Sequence, residues 1–136
     1  MGKSADQIAA REQVYKQLAR RFPPDAIAWV KTVRWDPATK IDLDRFDTSD
    51  RSDWAAASEP KLVAQEVSKW QSGEAEPAVA VQIGTSPQLV IVDGHHRFIA
   101  REHMHKHRML TWVGHVPNNT GPWMETHLSQ FGGPSG

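Results

Sequence analysis

The segment from Leu89 to His103, LVIVDGHHRFIAREH, constrains this chain most, because its periodicity changes within two residues. Leu89 to Val92 is a short, apolar, β-branched run of the kind that fills a buried strand. Asp93-Gly94 gives a sharp exit, since glycine takes backbone angles that other residues resist. Ile99, Ala100 and Met104 then share one side of a helical wheel, so a helix starts near His95. The first turn of a helix leaves backbone N–H groups without intrahelical partners and carries partial positive charge. Acidic side chains usually sit there, but this chain places His95, His96 and Arg97 instead. Each opposes the dipole by a few tenths to about 1 kcal/mol. An external anion would offset that cost. Arg97 offers a planar two-pronged donor, and the histidines can donate hydrogen bonds or relay protons. A polyphosphate fits best. The structural alternative packs one imidazole in the core, with His96 near Ala100 and His103 on the wheel. It leaves Asp93 to cap the helix and pair with Arg97.

Upstream, Ser4 to Gln7 reads as a capping box, and Ile8, Tyr15, Leu18 and Phe22 recur at helical spacing until Pro23-Pro24. This amphipathic helix packs on its own domain or docks a partner, and residues 1–28 read as an N-terminal helical extension of a domain over 29–136. Pro24 to Val30 forms another short helical turn. KIDLDRFD alternates Ile41 and Leu43 with Asp42 and Asp44, as in a half-buried strand. DTSDRSDW is a polar loop whose plain reading is solvation; its sharper reading presents Asp47 to a metal. A second helix starts near Ser58 with Pro60 in its first turn, aligns Val63, Val67 and Trp70, and stops at Gly73. AVAVQI and QLVIV flank Gly84 to Pro87 as a hairpin or as two adjacent strands, and MLTWVGHV is one more strand. The order is helix, strand, helix, strand, strand, helix, strand: a compact α+β domain with a small mixed sheet packed with helices. FGGPSG reads as a frayed end.

At 136 residues the chain suits one domain, and its 16 basic and 16 acidic side chains balance. That argues against a strongly basic, duplex-gripping surface. No apolar stretch approaches the ~20 residues of a membrane span, so no membrane partner is expected. There is no cysteine, which excludes disulfides, thiolate metal sites and cysteine nucleophiles. Six tryptophans point to a ring-rich core, with base stacking as the sharper alternative. His103, His105 and His107 tempt towards a metal, but the helix must end before Met109, and histidines at a helix C-terminus suit the dipole. His115 and His127 have no partner that spacing identifies. GPWMETH brings Trp123, Glu125 and His127 as a terminal strap or as a lid beside the junction.

IVDGHHRFIA resembles the strand–Gly–basic–helix signature of the ParB/sulfiredoxin superfamily, in the Asp-Gly-His-His-Arg form of ParB-like nuclease domains and of serine kinases sharing that fold. The resemblance runs from about Val33 to Gln130 through KIDLDRFD, DWAAASEPKLV and GPWMETHLSQ. That arrangement looks like ParB-like domains of actinobacterial phages, encoded beside or fused to head and portal genes. It implies a nucleotide-phosphate cradle at Gly94, His95, His96 and Arg97. The superfamily uses that cradle for CTP-driven DNA clamps, phosphoryl transfer to peroxidised cysteine or free serine, and nuclease activity. Sulfiredoxins need a cysteine where His95 stands, so their chemistry is excluded. The helix-turn-helix domain and further nucleotide motif of chromosome-partition ParB proteins are not visible.

The resemblance therefore implies a nucleoside triphosphate, ATP or CTP, with Mg²⁺, and phosphoryl transfer or nucleotide hydrolysis. Arg97 and His96 would neutralise the transferred phosphoryl, and His95 would relay a proton or hold phosphate. Asp93 would hold Mg²⁺ or orient a histidine, with Asp47 as a further metal ligand, and Asp47 or Glu125 would act as base. A metal-dependent nuclease working on DNA in the same pocket is a second reading. A third is a non-catalytic phage structural or host-interaction module that meets a head, portal or host protein through the N-terminal helix. These readings place the protein in the cytoplasm of a phage host or on the virion.

Overall fold

The β-branched runs pair into one four-stranded sheet in the order β1-β4-β2-β3. In this computed structural model, residues 2–20, 22–48, 60–73 and 76–116 are described. β1 is Arg34–Asp42, β2 Ala78–Ile83, β3 Leu89–Asp93 and β4 Arg108–Val116. β2 and β3 form the expected antiparallel hairpin, with Gly84 at φ +58 in its turn. β4 then enters between β1 and β2, antiparallel to the first and parallel to the second. A parallel pair needs a connection longer than a tight turn. The hairpin's second strand and the helix His95–His103 supply it. The expected order of elements and the α+β class hold.

Both faces of the sheet are covered, which is why β2 is apolar at successive positions rather than alternating. Val79 and Val81 join a core with Trp29, Val30, Val33, Trp35, Val92 and Val116, closed by Ala10, Val14 and Leu18 of α1 (Gly2–Ala19). Ala78 and Ala80 face the other way, where Ile91, Met109 and Val113 meet Phe46, Phe98 and Ile99. The helix that reads from sequence as an extension thus supplies one wall of a core. Trp35 is fully buried and paired in register with Gly114. A Cβ at Gly114 would lie 2.8 Å from two Trp35 ring carbons, so the glycine is what lets the indole lie flat on β4.

Three local expectations are corrected. α1 begins at Gly2, so Ser4 stands within the helix rather than capping it. Its seam is Ala10, Val14, Gln17 and Leu18, one consistent i, i+4, i+7, i+8 stripe, while Ile8 is exposed. β1 spans Arg34–Asp42 instead of KIDLDRFD, and Leu43–Arg45 is a 3₁₀ turn held by the Leu43 N–H donating to the His107 carbonyl at 2.9 Å. Pro37 obscured that strand. It sits where the β1–β4 register shifts between Asp36 and Thr39, a bulge that needs no donor from proline.

The short helical turn expected over Pro24 to Val30 is α2, Pro24–Ile27, which runs into a 3₁₀ turn at Ala28–Thr32. α3 is Pro60–Ser72, and Gly73 ends it at φ +79 as expected. Ser58 lies outside the described residues. α3 buries no residue fully; Val63 packs on the second core, and Trp70 stays 37% exposed. Among the described residues, no helix is long and apolar enough to cross a membrane.

Candidate functional site

β3 ends at Asp93, and Gly94 turns the chain directly into α4 (His95–His103) with φ +120 and ψ 20. Only glycine suits this position, on two counts. An L side chain rarely adopts that φ, and a Cβ here would stand 2.8 Å from Ala78 Cβ at the start of β2. The Phe98 N–H donates to the Gly94 carbonyl at 2.8 Å, closing the first turn. Gly94 stands at the N-cap and has no side chain to cap this start, and the first turn holds no acidic residue. The first-turn backbone N–H groups and the positive end of the helix dipole lie at this turn.

The side chains expected to face an anion are placed differently. His95 is buried, at 5% exposure, and His96 is half-buried. The Arg97 side chain is 12% exposed and ringed by carboxylates. Its Nη1 meets Asp93 Oδ2 at 3.4 Å, Nη2 meets Glu76 Oε2 at 3.4 Å, and Nε lies 3.5 Å from Glu66 Oε2. The last contact is between two buried atoms and lacks hydrogen-bond geometry. Asp93 is 1% exposed and accepts a second bond at 3.1 Å from Gln17 Nε2, which also donates to the Pro77 carbonyl at 2.8 Å. Arg20, in the turn just after α1, pairs with Glu76. Arg101, buried one turn beyond Arg97, has its pKa lowered by burial, with Glu66 opposing and Arg97 adding to the shift. Three guanidiniums thus stand among three carboxylates, tying α1, α3, α4 and the approach to β2 together.

Asp93 therefore pairs with Arg97, as the structural alternative expected. Asp47 lies at the far end of β3, its N–H donating to the Leu89 carbonyl at 2.7 Å. Four residue steps at roughly 3.3 Å put that end about 13 Å from Asp93. The fold does not bring the two aspartates together, and no group of three or more His, Asp or Glu that could hold a metal occurs among the described residues. Glu125, Trp123 and His127 lie outside those residues. His103 closes α4, His105 takes φ +57 in the following turn, and His107 precedes β4; they form no cluster.

Sequence reasoning missed Gln17, Glu66 and Glu76, because only the tertiary fold brings them to the junction. It also missed a clamp across three strands. His115 Nε2 lies 2.6 Å from Asp36 Oδ2 on β1, and Nδ1 lies 3.0 Å from Gln82 Oε1 on β2. The Gln82 amide nitrogen donates to the Ser86 carbonyl at 2.9 Å, which leaves its oxygen to the imidazole. Strand register was the signal needed, and spacing does not carry it.

No protein-family model matches this sequence, and no curated protein matches it. Solved structures do. Sulfiredoxin from Arabidopsis thaliana superposes with a TM-score of 0.50 and 14% identity over 61% of this chain and 90% of that one. A free serine kinase in complex with AMP gives 0.43 and 16%, over 56% of this chain and 30% of the kinase. A conserved hypothetical protein from Pyrococcus furiosus gives 0.40 and 22%, over 56% of this chain and 31% of that one. Identity this low speaks to architecture alone. The four-stranded mixed sheet, with α4 springing from the Asp93-Gly94 turn, has the sulfiredoxin-like α+β fold.

Proposed function

We propose that the start of α4 binds the phosphates of a nucleoside polyphosphate, ATP or CTP accompanied by Mg²⁺, within a ParB-like domain of the phage type. The observation that carries this reading is a first turn with no acid in it, opening from a glycine whose backbone is pressed against Ala78. Backbone N–H groups at the α4 start cradle the phosphates, and His96 at the rim donates to them. Arg97 is a preformed donor that exchanges carboxylate for phosphate oxygens on binding, while Asp93 and Glu66 position it. His95, being buried, supports the turn or relays a proton. Mg²⁺ arrives with the phosphates, and Glu125 is the candidate base for phosphoryl transfer or hydrolysis.

The test is calorimetric titration and thermal melting with ATP and CTP, with and without Mg²⁺, on wild type and Arg97→Lys. A nucleotide at a hundred times its dissociation constant adds about 2.7 kcal/mol of stability. A stabilisation present in wild type and lost in Arg97→Lys supports the reading; one indifferent to Arg97 overturns it. A second reading, a non-catalytic structural or interaction module, is favoured by the carboxylates already around Arg97. It expects no nucleotide effect at the junction.

A further inference from the structure

A hollow of about 680 Å³ opens beyond the C-terminal end of α4, between the C-terminal turn of α3 and the first residues of β4. Trp70 forms one wall. Lys106 Nζ stands 4.5 Å from its ring centroid and the Arg101 guanidinium 5.2 Å. Lys40 and Arg108 face it from the β1–β4 pair. β2 starts opposite Thr111, so over 108–110 β4 has no strand on that side among the described residues.

The carboxylates in this cleft are already engaged. Asp42 pairs with Arg108 at 3.0 Å, and Glu76 pairs with Arg20 and Arg97. Lys40 and Lys106 have no carboxylate partner among the described residues, so the cleft carries a positive excess in a chain of zero formal charge. Cations near a helix C-terminus suit its dipole, which accounts for Arg101 and Lys106. It does not account for Lys40, nor for a large indole left in water.

We propose that this cleft binds a small aromatic phosphate ester of mononucleotide size. Lys40 and Lys106 take the phosphate as point charges, and the ligand's flat ring stacks on Trp70 once Lys106 swings from the indole to the phosphate. The volume is in the range of small-ligand pockets. The ligand's size follows from the charge beyond Lys106. The adjoining hollow of about 570 Å³ is bordered by Asp44, a carboxylate outside the Asp42–Arg108 pair, which would repel the phosphodiester backbone of a longer strand. This site does not depend on the reading of the α4 start. It meets that start through Glu76, which borders the cleft and pairs with Arg97, and through Arg101, which borders the cleft and lies beside Arg97 and Glu66.

The probes are AMP, inorganic phosphate and a short oligothymidylate, titrated into wild type, Lys106→Gln, Trp70→Leu and Arg97→Lys. The readouts are calorimetry and the Trp70 indole N–H resonance. Expected are an AMP-dependent shift of that resonance and AMP affinity about tenfold weaker in Lys106→Gln and in Trp70→Leu. Phosphate alone should bind about tenfold more weakly than AMP. The proposal is overturned by no AMP binding at millimolar concentration or by phosphate binding as well as AMP. It is equally overturned by oligonucleotide binding without mononucleotide binding. AMP affinity that depends on Arg97 but not on Lys106 or Trp70 would place the ligand at the α4 start and reject the cleft.

Discussion

Arg97 is held by charge on three sides with little water to screen it. Removing it takes one partner from each of three carboxylates, two of them mostly buried. Losing one partner of a buried ion pair costs about 3–5 kcal/mol, and the partial exposure of Glu76 trims that, so Arg97→Ala should lose about 2–4 kcal/mol in urea unfolding. Gly94→Ala has two penalties at one atom. Positive-φ strain of about 1–3 kcal/mol is joined by a Cβ that meets Ala78 at 2.8 Å. It should lower the melting temperature even without any ligand. Gly94 and Arg97 were legible in the sequence because each declares itself locally, one by a turn and one by a charge that opposes the dipole. The neighbours of Arg97 were not. Glu76 is 21 positions away in sequence, and Gln17 reaches Asp93 across 76. Without them a guanidinium at a helix start looks like a vacancy for an anion rather than half of an ion-pair network.

At the level of elements, hydrophobic period found the strands and α-helices among the described residues in the right order, and failed where a single residue contradicted it. Pro37 suppressed the front of β1, since proline counts against a strand unless a bulge absorbs it. In α1, Ile8 drew the seam off the true stripe, because its side chain has no wall to pack on. Leu18 belongs to both the expected and the observed face and is fully buried; Leu18→Ala should cost about 2–5 kcal/mol by denaturant unfolding. Between β1 and β4 the tolerance is smaller. Gly114→Ala pushes the Trp35 ring off the strand and should cost about 1–3 kcal/mol as overpacking, with altered near-ultraviolet dichroism from the displaced indole.

Across the whole molecule the two cores share one sheet, and α1 closes one of them. A chain lacking residues 2–20 exposes Trp29, Trp35 and the valines of β2 on one face. We expect it to yield no cooperative unfolding transition and to bind hydrophobic dyes, whereas a stable, cooperative fragment would make α1 an appendage after all. The strand order carries one more consequence, for biosynthesis. β4 occupies an interior place in the sheet yet is the last of the four strands made, and its Arg108 reaches back 66 positions to Asp42. Pairings this distant in sequence are slow to form. Until Val116 has left the ribosome, β1 and β2 cannot become neighbours of a common partner, and each waits with an open edge. A stalled or prematurely terminated polypeptide missing β4 is therefore a substrate for chaperones and proteases rather than a smaller version of the protein.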